Sequence, residues 1–329
     1  MEKIHIDSIF SIRNGQEFEQ MALEIFQFQV RNCQIYADFV KYLNLDSAQI
    51  SNVKEIPFLP IEFFKNHSIV SKHVEPELVF SSSGTTGLAQ SKHLVTDLWV
   101  YEKSFRDSFE LAYGKIQDFA TIALLPSYLE REGSSLIYMV DAFIRESKYK
   151  QSGYFLYNHA ELYQTLKDLQ KYQTPTLLIG VTYALLDLVE KYTLEFPELI
   201  VMETGGMKGK RKEIVREELH QTLCAGFGVK TIHSEYGMTE LLSQAYAKGS
   251  GLFHCPPWMC VYMRDTNDPF NVLAEGQTGG INVVDLANMY SCSFIATQDL
   301  GKAHIDGSFE VLGRFDNSDI RGCNLLVQQ

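Results

Sequence analysis

TLLIG at Thr176–Gly180, ALLDLVEKY at Ala184–Tyr192, LIVM at Leu199–Met202, KEIVREELHQTL at Lys212–Leu223 and KTI at Lys230–Ile232 read in turn as strand, helix, strand, helix and strand. The first two strand runs are short, apolar and unbroken, as expected of strands covered on both faces. The helical runs interleave polar and apolar residues at helical spacing. Strands separated by helices of this length are parallel and joined by crossovers, so the stretch predicts an α/β fold.

Working outward, Ala120 to Leu125 reads as another buried strand, Ser134 to Ile144 and Leu162 to Leu169 as helices, and Leu98 to Leu111 as an amphipathic helix. Leu78-Val79-Phe80 is a short apolar run that ends in the cluster Ser81-Ser82-Ser83-Gly84-Thr85-Thr86-Gly87. The first third is mostly helical. Phe18, Met21, Ala22, Ile25 and Phe26 recur at helical spacing, as do Ile35, Phe39, Val40 and Leu43. Ile56-Pro57-Phe58-Leu59-Pro60 is extended or turned, because each proline biases its predecessor away from helix. Beyond Gly249, glycines and short alternating runs (Gly280 to Val284, Phe294 to Thr297, Phe309 to Leu312) predict a β-rich lobe. The expected organisation is one unit, helical over 1–75, α/β over 76–249 and β-rich over 250–329.

The composition narrows the function. The 329 residues carry 29 Lys+Arg against 41 Asp+Glu, a net charge of -12, which makes nucleic acid and anionic lipid poor partners. The longest apolar run, Leu177 to Val189, is interrupted by Thr182 and Asp187, so no transmembrane segment is expected. The N-terminus lacks a secretory apolar core, and the expected location is the cytoplasm. The six cysteines lie far apart, and a zinc site at Cys255 and Cys260 lacks a second ligand pair. Most of the six read as small buried hydrophobes.

The Ser/Gly/Thr cluster offers backbone N–H groups and hydroxyls to phosphate oxygens, with Lys92 as a nearby point charge. It is not a Walker A loop, since no Gly-Lys-Ser/Thr closes it. Tyr236-Gly237-Met238-Thr239-Glu240, Thr297-Gln298-Asp299 and Gly313-Arg314-Phe315-Asp316 follow it in that order. Together these resemble the core motifs of the adenylate-forming enzymes, which include acyl-CoA synthetases, luciferases and peptide synthetase adenylation domains.

The resemblance implies that family's N-terminal-type domain, with ATP and Mg²⁺ as cofactors and attack of a carboxylate on the α-phosphate to give acyl-AMP. It further implies that Ser83, Gly84, Thr85, Thr86 and Gly87 cradle the β- and γ-phosphates with Lys92 beside them. Thr239 would bond the α-phosphate and Glu240 would hold the metal. Tyr236 with Gly237, and the pair Gly205-Gly206, would border the adenine. Asp299 would bind the ribose hydroxyls, and Arg314 the ribose or α-phosphate. Glu203 and Thr204 would shape the wall before the glycine pair. The basic run Lys208 to Lys212 reads as a solvated turn.

In most members the Gly-Arg-x-Asp motif leads into a mobile C-terminal domain with a catalytic lysine. Here 13 residues follow Asp316, so that domain is expected to be missing. Pro57-Phe58-Leu59-Pro60-Ile61, Phe63-Phe64-Lys65, Leu125 to Arg131 and the ending Arg321-Gly322-Cys323 resemble the LuxE-type acyl-protein synthetases. That resemblance implies activation of a fatty or other carboxylic acid and transfer of the acyl group to Cys323. From there the group would pass to a partner such as an acyl reductase or acyl carrier protein. Arg321 would lower the thiol pKa and Asp319 would oppose it. Two other readings stay open: an acyl- or aryl-CoA ligase of the phenylacetate-CoA ligase type, and a non-catalytic nucleotide-binding subunit.

Overall fold

The computed structural model describes residues 4–82, 90–126, 133–205 and 214–315. Near its start, β1 (Leu59–Pro60) is followed by the hairpin of β2 (Leu78–Ser81) and β3 (Lys92–Val95), which pair antiparallel on either side of the Ser/Gly/Thr loop. The α/β stretch supplies β4 (Ala120–Leu124), β5 (Gly153–Tyr154), β6 (Thr176–Val181), β7 (Ile200–Thr204) and β8 (His233–Tyr236). β5, β4, β6, β7 and β8 lie side by side in that order, all parallel.

Every residue of β4 and β6 is buried, which is why both read as unbroken apolar runs. The helices that flank the parallel strands in the chain have identifiable ends. Asp97 caps Leu98–Tyr113 by accepting from the Trp99 N–H, and Ser134 caps Ser135–Glu146 by accepting from Ile137 N–H. Arg216–Phe227 stops at Gly228, whose φ of 68° is left-handed. A Cβ there would lie 2.6 Å from Glu195 Cα, so glycine is required on both counts.

The C-terminal strands are β9 (Ala245–Ala247), β10 (Leu252–His254), β11 (Met259–Arg264), β12 (Thr278–Asp285), β13 (Phe294–Ala303) and β14 (Phe309–Arg314). They do not form a separate layer. β9 pairs antiparallel with β8, and the order continues through β10, β14, β13, β12 and β11 as one twelve-stranded sheet among the described residues. β1 joins it parallel to β13, with Leu59 opposite Ile295. The helix Gly15–Asn32 packs on this half through Phe26 against Phe294, ring centroids 6.1 Å apart.

The expected strand at Lys230–Ile232 is a correction: the strand is β8, His233–Tyr236. It escapes a search for apolar runs because both its faces meet polar partners. Tyr113 Oη lies 3.1 Å from His233 Nδ1, and Thr204 Oγ1 donates to Glu235. On the other face Ser234 Oγ donates to Glu203, and Tyr236 Oη donates to Asp299.

Candidate active site

β8 ends at Tyr236, and the Gly237–Ser243 segment turns away from it towards β9. Tyr236 Oη donates to Asp299 Oδ2 at 2.9 Å, while its ring meets Phe253 and Phe309 edge-on. Asp299 and Arg314 are cross-strand partners on β13 and β14, and Arg314 Nε reaches Asp299 Oδ1 at 3.3 Å. Burial pushes the Asp299 carboxyl up, with Arg314 and Tyr236 opposing it. The Asp299 side chain is 14% exposed and that of Arg314 72%, so the arginine forms the solvent side of the pair. Three motifs far apart in the chain therefore meet at one point.

Glu240 is buried, and desolvation raises its carboxyl above the usual carboxylate range against a hydrogen bond from Ser91 and the charges of Arg314 and Lys65. Its carboxyl thus meets Ser91, just before β3, and feels the charge of Arg314. Lys92, at the start of β3, is exposed. Gly205 closes β7 with a left-handed φ of 74°. Ser83, Gly84, Thr85, Thr86, Gly87, Gly206, the basic run Lys208–Lys212 and Cys323 lie outside the described residues.

The Thr239–Ser243 segment is fastened by side chains that no sequence motif marks. His93 Nδ1 lies 3.0 Å from the Thr239 carbonyl, which can only accept, so Nδ1 carries the proton and Nε2 accepts from Ser291 Oγ at 2.8 Å. Burial holds His93 neutral, its pKa lowered to about 4. Asn288 Nδ2 donates to the Glu240 carbonyl at 2.8 Å, and its Oδ1 accepts from Leu242 N–H. Asp285 accepts four bonds, from the N–H groups of Leu242, Ser243 and Ala287 and from Ser243 Oγ. Gln29 then holds the Asn288 and Met289 carbonyls from the helix Gly15–Asn32. A signal existed for Asp285 and Asn288: they close an apolar strand with polar residues at a turn.

Thr297-Gln298-Asp299 is braced in the same way. Thr297 Oγ1 accepts from Asp299 N–H and donates to the Ile281 carbonyl, and Gln298 Nε2 donates to Glu62. Arg264 donates to the carbonyls of Ile281 and Thr297. Burial raises the Cys255 and Cys260 thiols, and among the described residues no cluster of His, Cys, Asp or Glu is arranged to hold a metal by itself. No described helix is long and apolar enough to cross a membrane.

No protein-family model and no curated protein matches the chain. Solved structures do. A 2-hydroxyisobutyryl-CoA ligase in the postadenylation state with 2-HIB-AMP aligns over 92% of this chain and 68% of its own, at 13% identity and a TM-score of 0.67. ATP-bound MatB from Rhodopseudomonas palustris aligns over 72% of this chain at 16% identity, with a TM-score of 0.53. A long-chain-fatty-acid-CoA ligase (FadD1) from Archaeoglobus fulgidus aligns over the same share at 15% identity, with a TM-score of 0.51. The fold is that of the adenylate-forming enzymes. The chain spans about half the length of the MatB and FadD1 structures, 47% and 51%. In this chain the polar site is made by Tyr236 at the end of β8 and by Asp299 and Arg314 on β13 and β14.

Proposed function

We propose that the chain activates a carboxylic acid with ATP, forming acyl-AMP and pyrophosphate. The observation that carries this reading is the meeting of Tyr236, Asp299 and Arg314 beside the buried Glu240, in a fold shared with acid–CoA ligases. The acid's carboxylate oxygen attacks the α-phosphorus and the bond to the β-phosphate oxygen breaks. This reaction needs positioning and charge neutralisation more than proton transfer.

Asp299 suits a ribose diol, because an ionised carboxylate accepts from two hydroxyls once Tyr236 and Arg314 shift. The exposed guanidinium of Arg314 is free to swing to a phosphate or ribose oxygen. The Tyr236 ring supplies a flat wall for a base, and the glycine pair Gly205-Gly206 would border that base. Ser83 to Gly87 bind the outer phosphates with Lys92, and Thr239 bonds the α-phosphate. Glu240 fits a Mg²⁺ ion that arrives with the nucleotide: it is a single desolvated carboxylate with few protein partners, and Mg²⁺ takes one or two carboxylates together with phosphate oxygens. Bound there, the ion would neutralise phosphate charge.

The finer part of the proposal follows the acyl-protein synthetase resemblance. The acyl group passes from AMP to the Cys323 thiolate as a thioester, AMP leaves, and the group moves on to an acyl reductase or a carrier protein. A fatty acid is the acid that this resemblance implies. The test is product analysis with a labelled acid, ATP and Mg²⁺. Acyl-AMP formation with a hydroxylamine-labile label that Cys323→Ser abolishes supports the whole reading. Rapid stoichiometric acyl-CoA release in the presence of CoA would instead make the chain a CoA ligase.

A further inference from the structure

β8 has a second polar face. Glu235 precedes Tyr236 and therefore points away from the nucleotide side. The β8–β9 register sets it directly opposite Tyr246, and strand alternation puts Gln244 on that same face. Glu235 Oε1 and the Gln244 side chain both crowd Gly237. A Cβ there would fall 2.3 Å from Glu235 Oε1 and 3.3 Å from Gln244 Cγ, so the glycine of this motif makes room for the carboxylate.

These groups are short of partners. Glu235 accepts one hydrogen bond from a side chain, from Thr204 Oγ1 at 2.7 Å, and among the described residues no cation pairs with it. Gln244 Oε1 and Tyr246 Oη are buried without any hydrogen bond, and both residues are 4% exposed. Most buried polar atoms in folded proteins are satisfied, and each exception costs about 1–3 kcal/mol. Here two unpartnered oxygens share a strand face with an under-satisfied carboxylate. The wall beside them is aromatic: Tyr246 meets Phe109 and Tyr113 on the helix Leu98–Tyr113, and Tyr101 of that helix lies within the field of Glu235. Glu235 itself keeps some surface, although its carboxyl is surrounded closely enough for burial to push it up to about 7.

We propose that Glu235, Gln244 and Tyr246 form the recognition site for an ammonium group on the acid, so that the substrate is an amino-bearing carboxylic acid. The inference rests on the adenylation reading and narrows its substrate. On this shared face the Glu235 carboxylate and Gln244 Oε1 can only accept and the Tyr246 hydroxyl can accept as well, so the face suits a group with several donors. An ammonium has three N–H groups and no acceptor, and it brings the charge that Glu235 lacks. A plain alkyl chain would leave Gln244 Oε1 and Tyr246 Oη unpartnered and Glu235 with Thr204 as its one side-chain donor, so this replaces the simple fatty acid of the family resemblance. The position suits the chemistry: a substrate held on this face presents its carboxylate around the Gly237–Glu240 turn to a nucleotide on the other.

The test compares β-alanine, 4-aminobutyrate, 6-aminohexanoate and leucine with propionate, butyrate, hexanoate and 4-methylpentanoate. Acid-dependent pyrophosphate exchange and the acid-induced shift of the thermal midpoint are both read, in the wild type, Glu235→Leu and Glu235→Gln. We expect at least one amino acid to exceed its des-amino partner by ~100-fold or more in kcat/KM. Glu235→Leu should reduce that ratio to within ~3-fold and leave the KM for ATP in place. Glu235→Gln, which keeps the Thr204 bond, controls for folding and should fall between them. Exchange that favours the des-amino acids in the wild type, or a ratio that Glu235→Leu does not move, overturns the site. If no acid supports exchange but amino acids raise the midpoint of the wild type and not of Glu235→Leu, adenylation fails and the ammonium site stands. No exchange and no shift with any acid overturns both.

Discussion

Asp285 and Glu235 are both carboxylates enclosed by protein, and burial raises both, to about 6 and about 7. Their surroundings differ. Asp285 accepts four hydrogen bonds, and Trp258 Nε1 with Ser104 Oγ extends its network through Ser243. Glu235 has Thr204 alone as a side-chain donor and two unsatisfied oxygens on its own strand face. A carboxylate satisfied from every side ties the chain together. One left short of donors stores an unfavourable desolvation that a ligand can relieve. The first holds the Thr239–Glu240 turn in place, and the second is free to receive something.

The difference should appear first in stability. Asp285→Ala strips the acceptor from three backbone N–H groups and a buried hydroxyl, so it should cost about 3 kcal/mol or more in urea unfolding. Glu235→Gln should cost less than ~1 kcal/mol at pH 5. Equal losses in the two variants would erase the distinction.

The next effect is in pH. Glu235 has a folded pKa raised from 4.5 to about 7, so the fold binds its proton more tightly than the unfolded chain does. Its contribution is therefore most favourable below about 4.5 and is lost as pH rises through about 7. Glu235→Gln should gain on the wild type by on the order of 2 kcal/mol between pH 4.5 and pH 8 and stay level above that. A difference that is flat across this range would show the carboxyl to be well solvated. His93 works in the opposite direction. With its pKa lowered to about 4, it destabilises the fold as pH falls from 6.5 towards 4, and His93→Gln should soften that acid limb by on the order of 2 kcal/mol.

The smallest expected change is at Lys92, exposed beside the Ser/Gly/Thr loop. Lys92→Ala should alter unfolding by under ~0.5 kcal/mol while raising the KM for ATP, which separates a ligand contact from a structural one.

The same contrast explains what could be read in the sequence. β4 and β6 were legible because burial on both faces selects unbroken apolar runs, and the helices Leu98–Tyr113 and Ser135–Glu146 because one apolar face recurs at helical spacing. The meeting of Tyr236 with Asp299 and Arg314 was legible through motif resemblance alone, since no local pattern predicts a contact across 63 positions. β8 was displaced by three residues because His-Ser-Glu-Tyr looks like a loop until its partners are assembled. His93, Asp285, Asn288 and Gln29 were silent for the same reason: each acts on backbone groups far away in the chain, as Gln29 does on Asn288. Glu235 stands one residue before the Tyr236–Glu240 motif, and no sequence pattern marks it, because its meaning lies in which hydrogen bonds are missing.

The function proposed for the Tyr236–Glu240 and Asp299–Arg314 site is adenylation. Acid-dependent exchange of labelled pyrophosphate into ATP tests it most directly, with the wild type, Glu240→Gln and Asp299→Ala measured side by side at saturating acid. The wild type should exchange, and both variants should fall by ~10²–10³, with ATP binding by Glu240→Gln retained. Undiminished exchange in both variants would contradict it.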